Sequence, residues 1–273
     1  LVELTVRAPE GFAGGEQWVE LSSGGARGRV LVEFGAVSQG GGSSGDEAAY
    51  YDEASLPVPA ELDDWSGWQL AGFAGDVYAL PRYDGTSIVY TCILRYSPDE
   101  KQWTEISVPQ NLLDQEGIVQ ILDITGATLD GKLVLCLTGA TSAGTAAITY
   151  MAIDEEGAWS VLTVSQPEAD VTTLFGTLVS DGESLYAFGG IDVWEGVESA
   201  AIFTVDPTSG TPTEVGSLSS ARISPNVAYR DGAFLVAGGI SATLQLAAVQ
   251  GVEILTPGED GKLQGYLDIM GIP

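Results

Sequence analysis

Histidine is absent from the 273 residues. That gap removes Ser-His-Asp and Cys-His catalysis, HExxH zinc sites and any His-ligated copper. Basic residues are scarce too: 10 Lys and Arg stand against 38 Asp and Glu, a formal charge of -28. Phosphate backbones and anionic membrane surfaces repel such a chain, which argues against nucleic acid and lipid headgroups as partners. The charge itself reads as solubility. No run of about 18 uninterrupted apolar residues occurs, so no membrane-inserting helix is expected. Only two cysteines are present, Cys92 and Cys136, each inside an apolar run (VYTCIL and LVLCL). A free thiol there packs as a small hydrophobe, and neither a disulfide framework nor a metal set follows. Neither GxxxxGK[ST] nor GxGxxG precedes a helical pattern, so phosphate binding is not indicated. Residue 1 is Leu and no charged-then-apolar leader follows, so the expectation is a processed or excerpted chain.

What is plentiful is glycine, with 36 residues, in a chain that is 45% hydrophobic and only 18% charged. That balance predicts a packed, all-β chain with many tight turns and no stretch of helical periodicity. The turns recur. Phe34 (VLVEFGA), Leu80 (VYALPR), Leu137 (VLCLTGA), Phe188 (LYAFGG) and Ala237 (LVAGG) mark a period of about 50 residues. A second apolar strand ends at Tyr51-Asp52, Tyr96, Ala152, Val205-Asp206-Pro207 and Leu255-Thr256-Pro257. A tryptophan follows in two units, Trp103 after Tyr96 and Trp159 after Ala152. Asp-Gly pairs at 130–131, 181–182 and 231–232 predict hairpin turns between the first and second strands, a and b, of a four-stranded unit.

These marks resemble the kelch-repeat family: a glycine doublet after strand b, a Tyr-Asp-Pro-like turn after strand c, a Trp in strand d. The resemblance spans nearly the whole chain by period, but no unit carries every mark, and Pro212 stands where one Trp is expected. It implies a β-propeller of four-stranded antiparallel blades within a single domain, five of them visible, at about 15–60, 66–110, 117–165, 170–217 and 222–269. Residues 1–7 then read as an orphan outer strand that closes the ring. If KLQGYLDI (262–269) is instead the last unit's own strand d, the intact protein has six or more blades. The resemblance also includes copper oxidases of the galactose-oxidase kind, which the lack of histidine rules out here. Tyr96, Trp103 and Trp159 are expected as wedges between sheets. Residues 36–46 are expected as a polar loop. Trp65 and Trp68 sit in the least repeat-like part.

Acidic clusters at Asp63-Asp64, Asp99-Glu100, Asp154-Glu155-Glu156 and Glu259-Asp260 lack DxDxDG-type spacing and read as solvated turns, so no metal or cofactor is expected. In such blades the b–c and d–a connections share one side, and function sits on loops held by a rigid frame. On that side Arg82, Tyr83, Asp192, Trp194 and Arg222 are the candidate ligand-binding residues, because Arg, Trp and Tyr most often anchor interfaces. The expectation is a non-catalytic module that binds a protein or glycan, part of a larger extracellular or surface protein. The alternatives are a carboxylate- and arginine-based carbohydrate enzyme, like the kelch-like sialic-acid epimerases, and a purely structural spacer.

Overall fold

The computed structural model describes residues 15–23, 26–34, 67–83, 90–115, 117–165, 173–192, 196–241, 247–248, 252–258 and 261–268. Trp194, Trp65, the strand expected over 1–7 and the loop expected over 36–46 lie outside these residues. The chain divides into two compact units, one of which is Leu56–Asp268. The other contains a hairpin of β1 (Gly15–Ser23) and β2 (Ala26–Phe34), paired in register from Gly15–Phe34 to Ser23–Ala26.

Leu56–Asp268 is built from four-stranded antiparallel meanders. The first sheet holds β3 (Trp68–Phe73), β4 (Asp76–Pro81), β5 (Cys92–Ser97) and β6 (Gln102–Ser107). A single-turn helix follows, α1 (Gln110–Gln115). No helix was expected. Six residues are too few to show helical periodicity, and the turn is held by local bonds and one anchor. The Pro109 carbonyl accepts from Leu112 and Leu113, Gln110 bonds Asp114 at 2.8 Å, and Leu113 is buried.

The second sheet holds β7 (Ile118–Leu129), β8 (Lys132–Thr141), β9 (Ala146–Ile153) and β10 (Trp159–Ser165). Next comes β11 (Thr173–Leu174), then β12 (Thr177–Ser180) and β13 (Leu185–Phe188), with β14 (Ile191–Asp192) pairing back to β11. Strands β15 (Ala201–Val205) and β16 (Pro212–Ser217) complete the third sheet. The fourth holds β17 (Asn226–Arg230) and β18 (Ala233–Ala237). A two-residue ladder of β19 (Ile240–Ser241) and β20 (Ala247–Ala248) follows, then β21 (Val252–Pro257) and β22 (Leu263–Asp268). KLQGYLDI thus supplies the last strand of its own sheet. The third and fourth sheets touch through their outer strands at the parallel pair Gly216–Leu263.

The cores lie between sheets, as period-2 alternation with two apolar faces requires. Leu80 and Ile93 of the first sheet meet Ile124, Leu135 and Met151 of the second, and Trp159 packs on that cluster as a wedge. Cys136, Ile148 and Tyr150 meet Leu178 and Phe203 of the third. Phe188 and Ile202 meet Phe234, Val236 and Leu255 of the fourth. Full burial of one such side chain is worth roughly 1.5–3 kcal/mol. The first strands β3, β7, β12 and β17 adjoin one another in turn, so the four sheets converge on a common line. This arrangement is blade-like.

The turns divide as their chemistry dictates. Asp130-Gly131 and Asp231-Gly232 both have φ > 0 at the two central residues, the form that two-residue hairpins prefer. Ala74-Gly75 adopts the same form without an Asp. The Asp-Gly at 181–182 does not: Ser180 pairs with Leu185 across a four-residue loop. There the Asp181 carboxylate accepts from the N–H of Glu183 and Ser184, so the side chain builds the turn. The doublet Gly189-Gly190 has φ of 65° and 108°, and a Cβ on Gly189 would collide with the Arg222 carbonyl of the next sheet. Here glycine serves both the left-handed backbone and the close approach.

Candidate functional site

The line where the sheets converge is polar at one end. Gln69 on β3 donates to the carbonyls of Gly126 and Leu178, each at 3.1 Å, linking the first, second and third sheets. Its Oε1 accepts from the Thr125 hydroxyl at 2.6 Å, and Thr125 accepts the Leu178 N–H at 2.8 Å. Thr177 donates to the Pro225 carbonyl ahead of β17.

Arg82, just past β4, sits above this layer and is 4% exposed. Its Nε bonds Asp123 at 2.9 Å, Nη1 reaches Thr177 at 3.0 Å and Gln69 at 3.5 Å, and Nη2 reaches the Gly176 carbonyl at 3.1 Å. One guanidinium therefore ties three sheets together. Asp123 is fully buried; its Oδ1 also takes the Tyr83 N–H at 2.6 Å, while Oδ2 has no partner among the described residues. Burial raises its pKa, and the Arg82 charge and its hydrogen bonds only partly offset that.

Arg222 and Glu253 form a second buried pair at 2.5 Å, close to β17. Arg222 also donates to the carbonyls of Ser220 and Gly238, and Glu253 Oε2 takes the Ser219 N–H at 2.6 Å. Burial lowers the Arg222 pKa, against the pull of Glu253.

Two volumes open along the convergence line. One of about 680 Å³ lies at the b–c and d–a end and is lined by Trp68, Arg82, Tyr83, Ser224, Asn226 and Gly238, among others. The other, about 380 Å³, is lined by β3, β7, β12 and β17. No carboxylate lines either volume among the described residues, although the chain carries 38 acidic residues. Of the exposed large apolar side chains, Trp68, Leu70, Leu235 and Tyr229 face these volumes, and only Val119 and Val197 lie elsewhere among the described residues.

Backbone strain gathers at the same end. Among the described residues, six non-glycine positions have φ > 0; four sit in strand-to-strand turns, and the other two are Phe175 and Ser224. The Phe175 carbonyl accepts the Ser224 N–H at 3.0 Å, and the Phe175 ring stacks on Tyr83 with centroids 4.1 Å apart. Such outliers persist only where the surroundings over-determine them.

Of the residues expected on this face, Arg82 and Tyr83 line the larger volume together. Arg222 is near but fully buried, with its guanidinium turned to Glu253 and backbone carbonyls. Asp192 is half-buried on β14, where its backbone closes a turn with Gly196 and Val197, and it does not line the volume. Sequence reasoning missed Gln69, Asp123, Thr177 and Glu253. A signal did exist for two of them: Asp123 interrupts the apolar run ILDIT, and Glu253 interrupts VEIL. A carboxylate in a buried strand demands a partner. No protein-family model matches the sequence, and no curated protein matches it.

Proposed function

We propose that the chain is a kelch-like β-propeller of at least five blades that acts as a non-catalytic, protein- or glycan-binding module of a larger secreted or surface protein. One observation carries the reading: a volume of about 680 Å³ opens where b–c and d–a connections meet, and no carboxylate lines it among the described residues of a strongly acidic chain. Ligand pockets of this size, mostly apolar with a few convergent polar groups, are the default binding sites of rigid scaffolds. The stapled floor beneath, from Gln69 to Arg82, supplies the rigidity.

The test is a screen of the folded protein against immobilised glycans and candidate protein ligands, followed by substitution. Tyr83→Ala and Trp194→Ala should weaken any genuine ligand roughly tenfold or more. Unchanged affinity in both variants would remove this face from consideration.

The enzymatic alternative requires a buried carboxylate of raised pKa close to the axis, and Asp123 has both properties. Its side chain is nevertheless shielded from solvent and engaged with Arg82 and Tyr83, so it touches no substrate as placed. Turnover of simple sugars or sialosides that disappears in Asp123→Asn would reverse the choice.

A further inference from the structure

We infer that the loop-side end of the larger volume is a seat for an uncharged glycan residue, which would stack on Trp68 and bond to Arg82, Tyr83, Ser224 and Asn226. The inference rests on the binding reading above and deepens it by choosing the ligand class.

Charge makes the first cut. A cationic ligand needs a carboxylate, and none lines the volume among the described residues. An anionic ligand needs a net positive site. Arg82, the one cation lining the volume among the described residues, is already paired with Asp123 at 2.9 Å, and the chain carries a formal charge of -28. An uncharged ligand remains.

Hydrogen bonding makes the second cut. A guanidinium has five N–H groups. Four of those on Arg82 are accounted for by Asp123, Thr177, Gln69 and Gly176, and the fifth has no partner among the described residues. Arg82 is 4% exposed and is among the residues that line the volume, so an acceptor oxygen that reached this N–H would match a buried donor. A hydroxyl or amide carbonyl can do this without bringing charge. Tyr83 and Asn226, which line the same volume, carry both donors and acceptors in their side chains.

Shape makes the third cut. Trp68 begins β3 opposite Pro81, at the loop end of its sheet, and is 45% exposed. An exposed indole beside a cluster of polar groups offers one apolar and one polar wall. A sugar ring, with apolar C–H faces and a polar rim, matches that pairing. A purely apolar ligand would leave the Arg82 N–H unmatched.

The experiment is isothermal titration of the whole protein with three trisaccharides: neutral N-acetylglucosamine trimer, its de-N-acetylated cationic counterpart, and a trisaccharide ending in a carboxylate sugar. The neutral trimer should bind, and Trp68→Ala and Asn226→Ala should each weaken it roughly tenfold. Tyr229→Ala, at the far end of the line, should leave it unchanged. Preference for either charged sugar, no binding of the neutral trimer at millimolar concentration, or indifference to Trp68→Ala would overturn the inference. A protein ligand lost in Tyr83→Ala without any neutral-sugar binding would overturn the glycan assignment and leave the binding face standing. Circular dichroism of each variant guards against a loss caused by unfolding.

Discussion

Arg82 and Arg222, both buried, look alike in sequence and do different work. Arg222 is held inside its own sheet: it meets Glu253 of β21 and the Gly238 carbonyl after β18. Among the described residues the third sheet reaches it through backbone, by Arg222 N–H to Ser199 and Gly190 N–H to the Arg222 carbonyl. Arg82 instead sends its side chain across two neighbouring sheets. Their carboxylates differ as well. Glu253 spends both oxygens, on Arg222 and on the Ser219 N–H, whereas Asp123 leaves one oxygen unmatched. A fully satisfied buried pair locks local geometry; a partly satisfied pair carries an unmet polar group. On the reading proposed above, the first pattern belongs to the scaffold and the second to the site.

The largest effect should come from breaking the satisfied pair. Glu253→Ala leaves the Arg222 cation buried without its counter-charge and frees the Ser219 N–H, at a cost of about 3–5 kcal/mol. Asp123→Ala should cost less, because that carboxylate was incompletely bonded from the start. Urea unfolding of both variants orders them. An equal or larger loss in Asp123→Ala would erase the distinction between the two pairs.

A smaller contrast concerns glycines at two levels of the fold. Gly189→Ala places a Cβ against the Arg222 carbonyl at a φ of 65°, so backbone strain and collision add. Gly182→Ala has a φ of 96° but open space around it, so only strain applies. The expected losses are about 2–3 and about 1 kcal/mol, read from unfolding midpoints. Similar losses would mean that the sheets give way at Gly189 without resistance.

These contrasts also separate what the sequence could tell from what it could not. Asp130-Gly131 and Asp231-Gly232 were legible because φ > 0 at consecutive residues is a local demand that few residue types meet. The Gly189-Gly190 doublet was legible as a turn mark for the same reason, whereas the residue it approaches, Arg222, lies 33 positions away. Gln69 was not legible. It resembles any polar residue in a half-exposed strand, and its partners Gly126 and Leu178 are 57 and 109 positions distant. Arg82 was picked out for its charge, and it lines the larger volume. Its burial was hidden, because Asp123 is 41 positions away. Bonds of that span are set by how sheets stack, which strand periodicity does not encode.

The finest contrast is between two aspartates with opposite pH behaviour. In the native state burial raises the Asp123 pKa above its ordinary value. For Asp181 burial also pulls upward, but the N–H groups of Glu183 and Ser184 and the Tyr186 hydroxyl outweigh it and lower the pKa. By linkage, the stability that Asp123 contributes is whole below the unfolded aspartate value of about 3.9 and is lost as pH rises through the raised native value. The contribution of Asp181 is present above that unfolded value and is lost as pH falls through its depressed native value. Asparagine at either site removes the titration while keeping the shape and one acceptor oxygen. Unfolding free energies between about pH 3 and pH 7 should therefore show wild type losing ground to Asp123→Asn as pH rises, and to Asp181→Asn as pH falls. Parallel curves for wild type and Asp123→Asn would mean that Arg82 fully compensates the buried carboxylate. The Arg82–Asp123 pair would then be as settled as Arg222–Glu253, and the division between site and scaffold would have to rest on the unmatched guanidinium N–H alone.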